Sequence, residues 1–211
     1  MPGPLYLRRF VVGPLDANCY LAADQASLEA LIIDPGGDPD AIADAALSEG
    51  FTVRAIVDTH AHADHTAAND ALRGYFGCPI MIHEFDAPCL TDPEANLSAW
   101  AGHANPAVSP ADRLLKDGGE IAIGQLVFRV VHTPGHTPGG ICLMVDGVLF
   151  SGDTLFAGGI GRTDLPGGSH DQLIESIRSR LFALPDDTVV YPGHGPETTI
   201  GHERETNPWL W

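Results

Sequence analysis

Three histidines and one aspartate lie within a single short segment, His60-x-His62-x-Asp64-His65. Imidazole is the commonest metal ligand in proteins, and it exchanges protons near neutral pH. Side chains at positions i and i+2 of an extended backbone point the same way, so His60 and His62 can bind one cation. Asp64 and His65 lie on the turn beyond and can reach a neighbouring cation. The spacing therefore predicts a metal centre at this point of the chain.

Three later turns each present one more side chain of a metal-ligand type. His136 lies in a Thr-Pro-Gly-His-Thr-Pro-Gly segment, Asp153 follows Ser-Gly, and His194 lies in a Pro-Gly-His-Gly segment. Open α/β folds build their sites where strands end, and glycine permits the close backbone approaches that such turns need. We therefore expect these three residues to join the same site.

The elements around these residues alternate between strands and helices. Strands are predicted over 5–12, 18–22, 30–33, 53–57 and 188–191, and helices over 38–50 and 66–76. Two hairpins are predicted, 121–123 with 126–131 and 141–145 with 148–150. Asp38 is a candidate N-cap, Asp146-Gly147 predicts a type I′ turn, and Ser169-x-x-Gln172 has the pattern of a capping box. The alternation indicates an α/β layered fold.

One long stretch has no periodic pattern. Residues 91–112 are rich in Pro, Ala, Asn and Asp, and they separate two predicted groups of strands. Aperiodic stretches of this length inside a compact domain are often functional. We expect this loop to cover the metal site and to influence which substrate group is accepted.

Composition excludes several classes of protein. The 211 residues are 44% hydrophobic and carry a net charge of −17, so we expect one domain over residues 1–211. The acidic balance disfavours nucleic-acid and anionic-membrane partners, which need Lys and Arg. No apolar run is long enough to span a bilayer, and the start of the chain lacks a signal-peptide pattern. Four scattered cysteines form no disulfide framework, so a cytoplasmic protein is expected.

Six segments together resemble the metallo-β-lactamase superfamily, and most of all its short, single-domain glyoxalase II-like thioester hydrolases. They are LIIDPGG, THAHADH, HTPGHTPGG, LFSGDTLF, GIGRTDLPGG and VVYPGHGPETTIGHERETNP. The resemblance implies a four-layer αββα sandwich with a binuclear metal site at its edge. It also implies a small-molecule thioester as substrate. The C-terminal helical domain that grips glutathione in two-domain glyoxalase II enzymes is not expected in this chain.

The resemblance also implies how the ligands divide between two metal ions. One ion would be bound by His60, His62 and His136, the other by Asp64, His65 and His194, with Asp153 bridging both. The donors are nitrogen and oxygen, which favours zinc and is also compatible with iron or manganese. Two such ions can share one water and lower its pKa towards neutrality. Asp64 is the candidate catalytic residue, because no other general acid is obvious in these motifs. A thioester suits such a site, since a thiol with a pKa near 8.5 leaves as a thiolate without help from an acid.

Three residues are expected just outside the ligands. Asp34 and Asp58 either hold ligand imidazoles in the right tautomer or cap ordinary turns. Arg162, in the Gly-Arg-Thr-Asp segment, either braces the loop beside the metals or contacts the substrate.

Other activities compete with thioester hydrolysis as interpretations of these motifs. The alternative is a persulfide dioxygenase of the same superfamily, with a single iron held by His60, His136 and Asp153. A nuclease is disfavoured by the acidic charge, and a β-lactamase by the missing secretion signal. A non-catalytic binding module would have no reason to keep all seven ligand-type residues.

Overall fold

The computed structural model describes residues 5–101 and 108–210. Its first sheet contains six strands in spatial order: β1 (Leu5–Val12), β2 (Ala17–Asp24), β3 (Glu29–Ile33), β4 (Thr52–Val57), β5 (Ile80–His83) and β6 (Arg113–Leu115). The first three strands pair antiparallel, and β3 to β6 pair parallel. Both faces of this sheet are covered, which is why its central strands are almost continuously apolar.

The other strands follow in chain order: β7 (Glu120–Ile123), β8 (Leu126–His132), β9 (Ile141–Val145), β10 (Val148–Gly152), β11 (Leu155–Phe156), β12 (Gly159–Ile160), β13 (Val189–Pro192) and β14 (Thr198–Thr199). The second sheet has the spatial order β14-β13-β10-β9-β8-β7, and β11 with β12 forms a separate small hairpin. Strands β10 and β13 are parallel neighbours, so their carboxyl ends lie at the same edge.

Six α-helices lie in the described part of the chain: α1 (Pro39–Ser48), α2 (Ala63–Thr66), α3 (Asn69–Phe76), α4 (Ser98–Ala101), α5 (His170–Ser176) and α6 (Ile200–Thr206). A 3₁₀ helix spans Ala87–Thr91, and a π-helical turn, Ile177–Leu181, continues α5. None of these helices combines the length and the apolarity needed to cross a membrane.

Three apolar clusters separate four layers. The first lies between α1, α3 and one face of the first sheet, and includes Ile42 and Leu72. The second lies between the two sheets, where Leu31 and Phe128 are fully buried. The third packs the outer face of the second sheet against α5, the π-helical turn and α6, and includes Leu173. The predicted four-layer αββα sandwich is confirmed.

Local turn chemistry confirms the predicted type I′ turn and one of the two hydrogen bonds of the predicted capping box, since the Ser169 N–H donates to the Gly135 carbonyl and not to the Gln172 side chain. Asp146 and Gly147, between β9 and β10, both have positive φ, as a type I′ turn requires. Ser169 caps α5, because its hydroxyl accepts a hydrogen bond from the backbone N–H of Gln172. The apolar side chains that follow, Leu173, Ile177 and Leu181, are buried against the second sheet.

Two helix predictions need correction. The predicted helix over 66–76 is divided into α2 and α3, because the N–H of Ala68 donates to the Pro35 carbonyl instead of continuing the helix. Gly36 makes this approach possible, since a Cβ there would lie 1.5 Å from the Asp64 carbonyl oxygen. Asp38 precedes α1 as predicted but does not cap it; its carboxylate accepts a hydrogen bond from the N–H of Gly13.

The long stretch 91–112 is only partly irregular. It contains α4, and the Asn96 carbonyl accepts a hydrogen bond from the N–H of Ala63 at the start of α2. Residues 102–107 of this stretch lie outside the described residues. Its described part therefore contacts the segment that carries the first ligand-type residues, and an influence on acyl preference stays a prediction.

Candidate metal centre

The four ligand-type turns all follow the carboxyl ends of strands. The segment 60–65 follows β4 of the first sheet, whereas His136, Asp153 and His194 follow β8, β10 and β13 of the second. Two backbone hydrogen bonds join the sheets here, Asn18 N–H to the Gly193 carbonyl and Ile141 N–H to the Thr59 carbonyl. The topology therefore brings residues that are distant in sequence to one edge of the sandwich.

Three imidazoles form the first group of the site. One ring nitrogen from each of His60, His62 and His136 lies within 4.8 Å of the others. The His136 Nε2 atom is 2.9 Å from the His62 Nδ1 atom. All three residues are at most 4% exposed, so their polar nitrogens face one another inside the protein instead of water.

A second group lies beside the first and consists of Asp64, His65 and His194. The Asp64 Oδ2 atom is 3.2 Å from His194 Nε2 and 3.6 Å from His65 Nε2. The two imidazole Nε2 atoms are 3.3 Å apart. These donor atoms converge as the ligands of one small cation would.

Asp153 lies between the two groups and contacts both. Its Oδ2 atom is 3.6 Å from His136 Nε2 in the first group and 3.8 Å from His194 Nε2 in the second. Its Oδ1 atom is 3.5 Å from His65 Nε2. The structure thus brings together all seven residues singled out in the sequence, and their assignment as ligands stays a prediction.

The arrangement fits divalent cations. The Nε2 atom of His60 and the Oδ1 atom of Asp153 are buried and have no hydrogen-bond partner in the described part of the chain. Buried polar atoms without partners are costly, and a bound cation would satisfy both. The donors are imidazole and carboxylate, a set that suits zinc, iron and manganese.

The pKa values indicate which groups are in the form that binds metal. Burial and the neighbouring imidazoles hold the pKa of His60 well below its usual range. Burial, together with His136, lowers the pKa of His62 to about 3. Both rings are therefore neutral at pH 7, with a nitrogen lone pair for a cation.

The second group has the opposite electrostatics. Burial alone would lower the pKa of His65, but the carboxylates of Asp64 and Asp153 outweigh it and raise the pKa to about 10. Burial would likewise raise the pKa of Asp64, but His65 holds it well below the ordinary value. The pocket around His65 is therefore strongly negative, which favours a cation.

Asp34 orients two of the imidazoles. Its Oδ2 atom is 3.2 Å from His65 Nδ1, which leaves Nε2 of that ring facing the site. The same carboxylate accepts hydrogen bonds from the Thr59 N–H and hydroxyl, both at 2.6 Å. The Thr59 hydroxyl in turn contacts His60 Nδ1 at 3.1 Å. One Asp34 oxygen also lies within 4.8 Å of a ring nitrogen of His60 and of His65, as in a metal site. Both Asp34 oxygens, however, already accept the hydrogen bonds described above.

Asp58 and Arg162, the other two residues expected beside the site, differ from Asp34 because neither side chain bonds to a ligand imidazole among the described residues. The Asp58 carboxylate accepts a hydrogen bond from the Asn69 amide at 2.7 Å, and its other oxygen has no partner among the described residues. Arg162 acts through its backbone, because His136 Nδ1 lies 2.7 Å from its carbonyl oxygen. The Arg162 side chain pairs with Asp164.

Asp86 was not identified from the sequence, yet it links two of the ligand segments. Its fully buried carboxylate accepts hydrogen bonds from the N–H of Ala61, at 3.2 Å, and of Gly139, at 2.6 Å. Ala61 stands between His60 and His62, and Gly139 follows the His136 turn. The only local signal was an aspartate soon after a buried strand, which is too common to single out.

Two adjacent cavities lie beside the site. The larger, of about 940 Å³, is bounded by residues 14–15, 92–97 and 162–166. The smaller, of about 210 Å³, is lined by His62, Asp86 and Thr137 and shares Ala95 and Pro166 with the larger. A substrate can therefore approach the first imidazole group through a large cavity.

A family model and two curated relatives indicate the same family for this chain. A family model described as the metallo-beta-lactamase superfamily matches residues 12–194. The probable metallo-hydrolase YqgX from Bacillus subtilis is 41% identical over 206 residues, which is 96% of each chain. The hydroxyacylglutathione hydrolase GloC from Haemophilus influenzae is 37% identical over 196 residues, 92% of each chain.

Solved structures agree with this similarity. The BLEG-1 B3 metallo-beta-lactamase has a TM-score of 0.91 and 42% identity, covering 97% of this chain and 99% of its own. TTHA1623, solved in a di-iron-bound form, has a TM-score of 0.86 and 36% identity over 96% of this chain and all of its own. ETHE1 from Myxococcus xanthus has a TM-score of 0.82 and 33% identity, covering 96% of this chain and 83% of its own.

Proposed function

Because the chain belongs to the metallo-β-lactamase superfamily, we propose that it is a metal-dependent hydrolase of small-molecule thioesters, such as S-2-hydroxyacyl thiols. The observation that carries the proposal is the pair of donor groups joined by Asp153, since one metal ion needs only three or four ligands. The similarity to a hydroxyacylglutathione hydrolase supports the thioester as substrate.

Seven side chains would hold two divalent transition ions in this proposal. His60, His62 and His136 would hold the first ion and Asp64, His65 and His194 the second, with Asp153 shared. The nitrogen and oxygen donors favour zinc, and the di-iron form of one structural relative supports iron as an alternative, besides manganese. When bound, such a pair supplies a hydroxide nucleophile at neutral pH and polarises a carbonyl group.

The protein's own side chains orient the ligands and manage protons. Asp34 and the Arg162 carbonyl hold the Nδ1–H groups of His65 and His136, so that Nε2 of each ring faces the reacting centre. Asp64 is ionised at neutral pH and its side chain is 17% exposed, so its carboxylate can accept a hydrogen bond from a water molecule and orient it. The thiol leaves as a thiolate, because its pKa is near 8.5, and needs no acid.

A cytoplasmic location is part of the proposal. Four free cysteines support it, three of them buried and Cys89 half-buried. Free thiols persist in reducing compartments.

A second candidate uses three of the same residues. A persulfide dioxygenase would hold one iron on His60, His136 and Asp153, and His136 Nε2 lies 3.6 Å from the Asp153 carboxylate. The similarity to ETHE1 is comparable to that with the hydroxyacylglutathione hydrolase, so similarity alone does not select one activity.

One assay separates the two activities. Zinc-loaded and iron-loaded protein are each given an S-lactoyl thioester, and separately a low-molecular-weight persulfide with oxygen uptake recorded. The thioester hydrolase releases thiol with either metal and consumes no oxygen. Rapid oxygen uptake with iron alone, together with negligible thiol release, would overturn the proposal in favour of the dioxygenase.

A further inference from the structure

The larger cavity beside the metal centre has mostly apolar walls. Pro14 and Leu15 come from the turn between β1 and β2, Leu97 from the stretch before α4, and Leu165 and Pro166 from the loop after β12. Its volume of about 940 Å³ lies within the range of small-molecule sites in proteins. It lies beside the smaller cavity, with which it shares Ala95 and Pro166 and whose lining includes His62. A substrate whose scissile bond lies at the metal centre would place one of its two arms here. We assign the thiol carrier to this cavity, although residues 92–97 of the stretch expected to influence the acyl group line it, because a 2-hydroxyacyl group is much smaller than a cavity of this volume.

The charged residues of this cavity favour an uncharged arm. Arg162 is the one basic residue in the described lining, and its Nε and Nη2 atoms donate to the two carboxylate oxygens of Asp164 at 2.7 and 2.8 Å. This parallel pair of bonds uses the guanidinium edge that would otherwise bind a substrate carboxylate. Asp92 is a further acidic residue of the same lining.

We infer that this cavity binds the thiol-carrier arm of the substrate, that it selects carriers with an apolar and uncharged body, and that Asp164 is a specificity-determining residue because it occupies Arg162. The inference rests on the proposed thioester hydrolysis. A carrier with a carboxylate meets acidic side chains and a guanidinium that is already paired. A neutral carrier gains the apolar contacts without that repulsion.

Two substrates that differ in one charge test the selection. They are the S-lactoyl esters of N-acetylcysteine, which has a carboxylate, and of N-acetylcysteine methylamide, which has none. A unit charge about 4 Å away changes binding by roughly fivefold in water, so we expect kcat/KM to be about fivefold or more in favour of the amide at low salt. The preference should shrink as salt is added, because both side chains of the ion pair are more than half exposed.

Opposite charge changes at the ion pair should move this preference in opposite directions. Asp164→Asn frees the Arg162 guanidinium, so we expect the preference for the amide to fall about three- to tenfold. Arg162→Gln leaves Asp164 uncompensated, and the preference should rise. The matched control is Asp186→Asn, which removes one negative charge from the ion pair between Asp186 and Arg204, outside the cavity lining. It should leave the preference unchanged.

The possible outcomes separate this inference from the proposed function. Equal or better hydrolysis of the acid ester by the wild-type protein would overturn the inference and leave thioester hydrolysis standing. The same holds if Asp164→Asn and Asp186→Asn behave alike. If the metal-loaded wild-type protein hydrolyses neither ester, the proposed function fails, and the inference fails with it.

Discussion

The two halves of the molecule build the metal centre in different ways. The amino-terminal half supplies four ligand-type residues from one continuous segment, 60–65, which follows β4. The carboxy-terminal half supplies three, His136, Asp153 and His194, each from a separate turn after β8, β10 or β13. We call these the ligand segment and the ligand turns.

The difference concerns how each part is held in place. The ligand segment is fixed from outside by two buried carboxylates, Asp34 and Asp86, which bond to its side chains and backbone. The ligand turns are carried by strand ends in one sheet, and the His136 turn is held in addition by Asp86 and by the Arg162 carbonyl. A ligand cluster that is local in sequence therefore depends on dedicated supports throughout, whereas dispersed ligands take their positions mainly from the scaffold.

The largest effect is expected at the residue that joins the two parts. Asp153→Ala removes the carboxylate that contacts both donor groups. We expect kcat/KM for a thioester to fall by more than about a hundredfold, beyond the range typical of residues that only support ligands, and metal content to drop at both groups. Metal analysis of the purified variant beside the wild type measures this. Full metal content with full activity would show that Asp153 is not shared.

A smaller effect is expected at Asp34, whose carboxylate contacts the His65 ring. Asp34→Asn places an amide N–H₂ opposite the Thr59 N–H in one orientation, or opposite the Thr59 hydroxyl and the His65 Nδ1–H in the other, so at least one bond is lost. We expect metal affinity to weaken about tenfold to a hundredfold, measured by competition with a chelator. The comparison variant is Asp58→Asn, because Asp58 bonds to Asn69 and to no ligand ring among the described residues. Equal losses in both variants would contradict the supporting role of Asp34.

Asp86, whose carboxylate bonds to backbone N–H groups of the ligand segment and the His136 turn, should have a weaker effect on metal affinity. Asp86→Ala leaves the buried N–H groups of Ala61 and Gly139 without an acceptor, at a cost of about 1–3 kcal/mol each in stability. We expect metal affinity to weaken about tenfold, since the ligand segment loses its tie to the His136 turn. Asp112→Ala is the control, because it removes an acceptor from the Ile80 N–H away from the site. It should lower stability without changing metal affinity.

The smallest effect is expected for a change confined to the scaffold of the ligand turns. Ser169→Ala removes the N-cap of α5, which packs on the outer face of the second sheet. We expect the free energy of unfolding to fall by about 1 kcal/mol, with metal affinity unchanged. Denaturant unfolding and chelator competition measure the two quantities. A loss of metal affinity as large as that of Asp86→Ala would show that the ligand turns depend on helix packing as well as on strand ends.

The same contrast explains what the sequence could predict. The ligand segment, the type I′ turn at Asp146-Gly147 and the cap at Ser169 were recognisable because each depends on residues within a few positions. Membership of the four-layer fold followed from the family resemblance. The ligand turns could be named one by one, but only the sheet order shows that they meet.

The predictions that were wrong or incomplete all depend on contacts between distant segments. The helix over 66–76 is interrupted because Ala68 bonds to Pro35, and the Asp38 carboxylate bonds to Gly13 instead of capping α1. Arg162 reaches His136 through its carbonyl oxygen, and side-chain type cannot reveal such a role. Asp86 was missed for the same reason, since its two partners lie 25 and 53 positions away.

The close approach of Gly36 to Asp64 affects any attempt to transplant the metal centre. The backbone after β3 lies so near the ligand segment that any side chain at position 36 would collide with the Asp64 carbonyl. The six-residue motif would therefore not carry its own shape into a new scaffold. A designer would have to move the Asp34-Pro35-Gly36 turn with it as a second, non-contiguous piece, and a library that varies position 36 should return glycine alone.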